Sequence, residues 1–592
     1  MICFLSLIVI YLSHAKPYSY VCEGADCKVI EGIDEKALAI ADYTEQSAVD
    51  GWDRLDLNIS KPEFALTDFY ALGYLEGSLL QPKIFSLFTN LMEDLKRRQF
   101  DGKLPDEFST FMEKNYDYFL EYLRDKTSEA VPDMIEALYE QTRGVADGYN
   151  AIAKEEEKLT PHQLYLLQCM SDLPGLIRDF TTAPEGITSE KLDSYILQSA
   201  HGTILLEEQG KKELFTTHTT NTNYGLMIRV LKRVKYVAPN KTVRTVSYTG
   251  YPGVVDLYDS FCITDGLLAI AGTSVYSLAG LTKPTAADDD KHKRLPTWAQ
   301  VMASTVLSST SADFAQTLGT LSPLVPRHFA CVDYNKYKAK KAGKPMTAST
   351  IMLIEQSLKT TKVLDITADI TKKEYIVLVN TPYDADIAKD LEYEQFIGED
   401  ALRKYHFHPQ TNCRMQLSGK IGKKTHTIKT AKYNLRYNNW VSDAESIDSN
   451  GNRDPLVGMS PRCELRDSAH QTPIAYGGID AKITTLVLIE QFSFISVAGL
   501  SYSHMLPKLS LDDINKRAAF SFNGIAPLKK NVWVTFRDTD VIIEHLEPFV
   551  LIGSIGSGAA AVLGTIVLII VMLILKFTKG TRNGVKYEKM KD

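Results

Sequence analysis

Among the groups in this 592-residue chain that could ligate a metal or attack a carbonyl are 12 histidines and 8 cysteines. His406-Phe407-His408 followed by Cys413 has ligand types suited to zinc. In a chain with 12 histidines, alternation along one strand face accounts for that pattern, so no metal and no cofactor is expected. No Gly-x-Ser-x-Gly elbow occurs, which disfavours a lipase of the α/β-hydrolase kind. A phosphate loop, a His-Glu-x-x-His helix and paired Cys-x-x-Cys motifs are also missing. The net charge of −7 gives no footprint for nucleic acid. Chemistry in this chain therefore has to come from residues scattered along the sequence and brought together by the fold.

The ends define the expected compartment. Ile2 to Leu12 is a short apolar run followed by Ser13-His14-Ala15, small residues of the kind that precede a signal-peptidase cut, so 1–15 reads as a signal peptide. Phe549 to Leu575 carries no charge and is long enough to span a bilayer as a helix. Lys576, Lys579, Arg582, Lys586, Lys589 and Lys591 follow, which puts that flank in the cytoplasm. The expectation is a single-pass type I membrane protein: a transmembrane helix at 549–575, a basic tail at 576–592, and a lumenal or extracellular bulk. Tyr587-Glu588-Lys589-Met590 fits a tyrosine-x-x-apolar sorting signal, with Tyr587 and Met590 as its readable residues, and suggests endosome, lysosome or cell surface. Asn58-Ile59-Ser60 and Asn240-Lys241-Thr242 are glycosylation sequons suited to that compartment. Removing the leader leaves seven cysteines, an odd number, so at least one thiol is free or intermolecular. Cys22 and Cys27 are close enough for a local bridge.

Between the ends, two textures alternate. Residues 35–58 read as a strand or two. Residues 63–170 read as helices, from the spacing of Phe64, Leu66, Phe69, Leu72 and Leu75 and of Phe111, Tyr118 and Tyr122, with Pro105, Pro132 and Pro161 as punctuation. From about 190 short β-branched and apolar runs predict strands, including Ile204 to Leu206, Glu213 to Thr217, Val243 to Tyr248 and Cys262 to Ile270. Residues 295–318 return to helix, 350–380 and 425–440 are strand-rich, and 480–500 is an apolar helix or strand pair. The 44% apolar composition is ample for a large core, and the mixture predicts a layered α/β or α+β domain. Two parts are expected within it: a helical and strand segment over 16–200, and a core over 201–545.

Several segments in order resemble the phospholipase B-like, or lamina-ancestor, family. They are Gly51-Trp52-Asp53 with Leu55-Asp56-Leu57; Gly73-Tyr74-Leu75-Glu76-Gly77; Asp147-Gly148-Tyr149; His218-Thr219-Thr220 leading to Met227 through Lys232; Tyr251-Pro252-Gly253; Gly266-Leu267-Leu268; Glu355-Gln356; Leu435 through Asn439; and Gly477-Gly478-Ile479-Asp480. The resemblance covers roughly 35–540. It implies an α+β fold of the N-terminal-nucleophile hydrolase type, a four-layer α-β-β-α sandwich, with 16–200 as a propeptide-like part. It also implies a precursor that cuts itself before a cysteine, whose thiol then attacks an acyl carbonyl.

The resemblance also says where the site should be. The cysteine stands about seventeen residues before the histidine matched by His218, and that position here is His201, in Ser199-Ala200-His201-Gly202-Thr203. Imidazole cannot form the thioester, and Ser199 and Thr203 are the hydroxyl residues that could substitute. The family asparagine matches Asn380, in Val379-Asn380-Thr381-Pro382. The arginine expected after a proline falls on Gln410, with Arg414 nearby. The site positions are thus His201, His218, Asn380 and Gln410, the first and last being substitutions. Two functions remain: a phospholipase B-like hydrolase of acyl ester or amide bonds in lipids, tethered to the membrane, and an inactive relative serving as a membrane-anchored lumenal binding or trafficking receptor. Either would take a lipid or acyl-amide ligand.

Overall fold

The structure, a computed structural model, describes residues 16–24, 26–96, 102–180, 201–209, 213–257, 260–278, 290–340, 344–396, 408–409, 412–422, 427–447, 452–468, 472–501, 506–526, 532–536 and 542–543. The strands run β1 (Lys16–Glu23), β2 (Asp26–Glu31), β3 (Ala39–Thr44), β4 (Asp53–Ile59), β5 (His201–Gln209) and β6 (Glu213–Asn223). Next come β7 (Val230–Val237), β8 (Val243–Gly250), β9 (Phe261–Thr264), β10 (Leu268–Ser274), β11 (Arg327–Asp333), β12 (Ile351–Gln356) and β13 (Thr361–Asp365). The last are β14 (Tyr375–Leu378), β15 (Tyr476–Thr484), β16 (Phe494–Ala498), β17 (Trp533–Phe536) and β18 (Ile542–Ile543). They form an 11-stranded sheet, β13-β12-β11-β10-β9-β8-β7-β4-β3-β1-β2, and a 7-stranded sheet, β14-β5-β6-β15-β16-β17-β18. Every pairing in them is antiparallel except β4 with β7.

Strand alternation explains how the sheets share a core. Ala269 and Ala271 of β10 and Ala330 and Val332 of β11 project to the same side, against Ile204, Leu206 and Phe494 of the 7-stranded sheet. The residues between them, such as Ile270 and Phe329, face the opposite way, into a cluster with helices Leu66–Leu79, Ala130–Ile152 and Thr297–Leu307. Helix Ile428–Leu435 covers the far face of the 7-stranded sheet, where Ala431 and Leu435 meet Phe215, Ala481 and Ile483. The strand-rich texture expected over 425–440 is thus helical. Thr427 caps the helix start and Ala431 and Leu435, four apart, form its apolar stripe. Over 480–500 the strand pair β15–β16 is present, with the short helix Leu486–Ile489 between.

The glycines of two sequence motifs have a mechanical cause. A Cβ on Gly73 or Gly77 would lie 1.8 or 2.2 Å from carbonyl oxygens of helix Ala130–Ile152, and one on Gly144 or Gly148 would lie 2.0 or 2.3 Å from those of helix Leu66–Leu79. The two backbones touch, and only glycine permits that approach. Glu76, in the same motif, accepts from Lys232 at 2.5 Å and from the Gly253 amide at 2.8 Å. Three segments far apart in sequence therefore meet at one buried carboxylate.

The expectation of an α+β four-layer sandwich carrying a C-terminal transmembrane helix is corrected at that helix. The described residues hold a mixed α/β fold with two large sheets, and none of their helices is long and apolar enough to cross a membrane. Residues 1–15, 549–575 and 576–592 lie outside the described residues, Tyr587 and Met590 among them. Cys22 and Cys27 form a disulfide, while Cys169, Cys262, Cys331, Cys413 and Cys463 are buried thiols.

Candidate active site

β5 begins at His201, and the expected centre of chemistry lies at this strand end. β5 sits between β14 and β6, with His201 in register with Asn221 and Thr203 with Thr219. Ser199 and Gln410 lie outside the described residues, and His201 and Thr203 are placed as strand positions only. Gly202 is described fully. Its amide donates to Thr273 Oγ1 at 3.0 Å, which ties the first turn of β5 to the end of β10 on the other sheet. A Cβ here would lie 2.8 Å from His218 Nε2 and 2.9 Å from Thr273 Cβ and Oγ1. A side chain at 202 would displace the groups that make the site.

Asn380 follows β14 and is buried. Its Nδ2 donates to Thr273 Oγ1 at 2.9 Å and to the Ser274 carbonyl at 2.8 Å. Its Oδ1 accepts from the Arg414 guanidinium at 2.8 Å. A second Arg414 nitrogen reaches the Gly202 carbonyl at 3.5 Å. The helix Cys413–Gly422 therefore returns an arginine to the site from four residues beyond the position counted for it. Asn412, whose Nδ2 donates to Thr381 Oγ1 at 3.3 Å, anchors the start of that helix beside the Asn380 turn. Around Gly202 the fold thus collects a backbone N–H, a hydroxyl, a carboxamide and a guanidinium, the first and third donating to the Thr273 oxygen and the fourth to Asn380.

His218 of β6 is close by but fully engaged. Its Nε2 is 2.9 Å from the Gly272 carbonyl and its Nδ1 is 3.3 Å from Lys482 Nζ. That pattern fixes a tautomer in which Nε2 donates and Nδ1 accepts. Burial, together with the Lys482 charge, pushes His218 down to about 3, which keeps the imidazole neutral. Lys482 also donates to Thr220 Oγ1 and Asp480 Oδ1, both at 2.6 Å. Burial brings Lys482 down to about 7 against the pull of Asp480. Burial alone would raise Asp480, but Lys482 and Arg229 carry it below the ordinary carboxylate range. Arg229 donates to Asp480 Oδ2 at 2.6 Å and stacks over Trp52 and Tyr251. A kink in the β6–β15 register between Gly478 and Asp480 aims this carboxylate inward.

Thr273, Lys482 and the reach of Arg414 were not legible as site members. An Asp-x-Lys pair inside the apolar strand Tyr476–Thr484 was the available signal, because two charges on one face of a buried strand need partners. Among the described residues no group of His, Cys, Asp or Glu is arranged to hold a metal. Asn58 lies half-buried in β4, paired on both sides with β3 and β7. Asn240 is exposed in a turn, its Oδ1 accepting from Thr242 N at 3.0 Å.

The sequence profile of the phospholipase B family matches residues 39–534. The chain belongs to the phospholipase B family. It is 22% identical to phospholipase B-like protein B of Dictyostelium discoideum, over 86% of this chain and 87% of that protein. Phospholipase B-like 1 of Bos taurus is 21% identical over 82% of this chain and 86% of its own length. Among solved structures, a Caenorhabditis elegans N-acylethanolamine-hydrolyzing acid amidase ortholog aligns over 48% of this chain and 93% of its own, at 11% identity and a TM-score of 0.28. Family membership explains why the quoted motifs recur in order.

Proposed function

We propose that this chain hydrolyses acyl ester or acyl amide bonds of lipids at the site around Gly202, and does so without a cysteine at position 201. One observation carries the reading. Asn380, the residue matched to the family asparagine, is clamped between Thr273 Oγ1 and Arg414 directly beside the start of β5. Such a cluster of buried polar groups, with the Arg414 cation at its edge, is suited to holding an acyl carbonyl against an attacking group. The disulfide Cys22–Cys27 supports a lumenal, oxidising compartment.

A second reading is favoured by His201 itself, which cannot perform thiol chemistry. In that reading the same donors bind an acyl ligand without turning it over, and the chain is a lumenal receptor. The test is turnover and binding of a fatty-acyl amide and a diacyl phospholipid by the purified chain at pH 5. Turnover that falls at least 100-fold in both Asn380→Ala and Arg414→Ala supports the hydrolase. Saturable binding without turnover, weakened by the same changes, supports the receptor. Neither binding nor turnover would sink both.

A further inference from the structure

Resting on the hydrolase reading, we infer that Thr273, His328 and Glu355 form a hydroxyl–imidazole–carboxylate relay on the inter-sheet face, and that Thr273 is the nucleophile replacing the cysteine missing at 201. Strand register brings the three together. Thr273 of β10 is directly opposite His328 of β11, and His328 is directly opposite Glu355 of β12. Thr273 and His328 share the face of Ala271 and Ala330, and Glu355 that of Leu353, which is the face turned to the other sheet. Cross-strand partners on one face have Cβ atoms about 5 Å apart. Glu355 and His328 are fully buried, and Thr273 nearly so.

The hydrogen bonds assign the roles. Glu355 Oε1 accepts from the Tyr383 amide at 2.8 Å and Oε2 from the Asp384 amide at 2.7 Å, so the carboxylate is fixed in place. His328 Nδ1 lies 3.3 Å from Glu355 Oε1, and an acceptor there places the proton on Nδ1. His328 Nε2 is then a lone-pair acceptor, and it is buried with no hydrogen-bond partner among the described residues. A buried nitrogen without a partner is costly in a structural role and is what a general base awaiting a proton looks like. The Thr273 hydroxyl oxygen has the complementary surroundings. The Gly202 amide and the Asn380 carboxamide both donate to it, and donors on that oxygen stabilise the negative charge it gains as its proton leaves. The register sets nucleophile, base and orienting carboxylate in the order that activates a hydroxyl. Thr273 and His328 are not hydrogen-bonded to each other in the structure, and the relay closes when the Thr273 hydroxyl turns its proton to Nε2, as apo geometries tighten in the reacting complex.

The reaction then balances with water as the only co-reactant. Thr273 Oγ1 bonds to the acyl carbon as its proton passes to His328 Nε2. The bond from that carbon to the departing oxygen or nitrogen breaks, and His328 gives the proton to the departing atom. Water adds to the acyl-threonine ester, with one of its protons taken by His328. The free acid leaves as that proton returns to Thr273 Oγ1. The relay also gives Glu355, in the Glu355-Gln356 motif, a role beyond packing.

The test uses the full chain. A fluorophosphonate probe, which transfers phosphorus to an activated hydroxyl with loss of fluoride, is followed by peptide mass spectrometry. Hydrolysis of a fatty-acyl substrate is measured in parallel. The relay predicts an adduct at Thr273, at least 1,000-fold lower kcat in Thr273→Val and His328→Gln with KM changed only a few-fold, and about 10-fold or less loss in Thr273→Ser. Glu355→Gln should lower kcat with KM kept. If Thr273→Val does not fold, the wild-type adduct and Thr273→Ser still decide. An adduct elsewhere, or hydrolysis that survives Thr273→Val, would overturn the relay and leave the hydrolase reading standing. No adduct and no turnover would overturn both.

Discussion

Asp256 offers the most quantitative test of how this interior responds to acid. It is fully buried beside Asp172 on the helical side of the 11-stranded sheet. Its Oδ2 accepts from the Ser171 amide at 3.1 Å and from the Ser171 hydroxyl. Burial, aided by the Asp172 charge, pushes it from 3.8 up to about 7. Asp172, held by Thr297 through bonds of 2.6 and 2.9 Å, is pushed up to about 6, again chiefly by burial. A folded-state value raised above the unfolded one contributes stability that is fully present below about pH 4 and is lost as pH rises through about 7. Between those limits the unfolded chain has released the proton and the folded chain still holds it. From pH 7 down to pH 5 this spans about two units, or about 3 kcal/mol at 1.4 kcal/mol per unit. For a folded unit of ~500 residues the unfolding entropy is about 1 kcal/mol/K, so the shift in Tm is about 3 °C.

The perturbation is Asp256→Asn, which keeps an oxygen for Ser171 and removes the titration. Other carboxylates move the absolute Tm, so the readout is the difference between wild type and variant. Scanning fluorimetry from pH 5 to 7.5 should show Asp256→Asn gaining about 3 °C on wild type as pH rises across that window. Parallel Tm curves for the two proteins would refute the reasoning, and a difference of opposite sign would do so more strongly.

The remaining predictions concern the site and the surface. Gly202→Ala should destabilise the chain by about 1–3 kcal/mol in urea unfolding, because the new methyl meets His218 and Thr273, and it should lower acyl-ligand affinity as well. Lys482→Met removes the donor to His218, Thr220 and Asp480 while Asp480 keeps Arg229. A loss of about 2–4 kcal/mol is expected by the same assay, and an unchanged midpoint would show that the buried network carries no stability. Glycopeptide mapping should find Asn240 occupied and Asn58 empty, because Asn58 is hydrogen-bonded into strands on both sides whereas Asn240 is exposed.

Much of this was readable from sequence because local pattern and long-range need agreed. The helices over 63–170 carried a clear apolar period, and Val243 to Tyr248 and Glu213 to Thr217 became strands as their β-branched runs implied. Residues 425–440 misled because Thr427, Ile428 and Thr430 favour strands individually, while a capped start and packing on Phe215 and Ala481 made the segment helical. The site was legible only where it matched a family pattern, at His218 and Asn380. Arg414 was visible only as a neighbour of the counted position, because a helix delivers it from beyond that position, and Thr273 and His328 escaped because their meaning lies in strand register. No spacing along the chain records that residues 55 apart, such as Thr273 and His328, stand opposite each other.

The central claim is that an acyl-bond hydrolase site survives around Gly202, Asn380 and Arg414 without cysteine chemistry at residue 201. Its most direct test is to incubate the purified chain with a fatty-acyl amide and a diacyl phospholipid at pH 5 for a day, recording free fatty acid and the intact mass of the protein together. The account predicts released fatty acid and its loss in Asn380→Ala and Arg414→Ala, with the intact mass recording whether the chain is cut near residue 201. Fatty-acid release that survives Asn380→Ala and Arg414→Ala, or no fatty acid from either substrate, would contradict it.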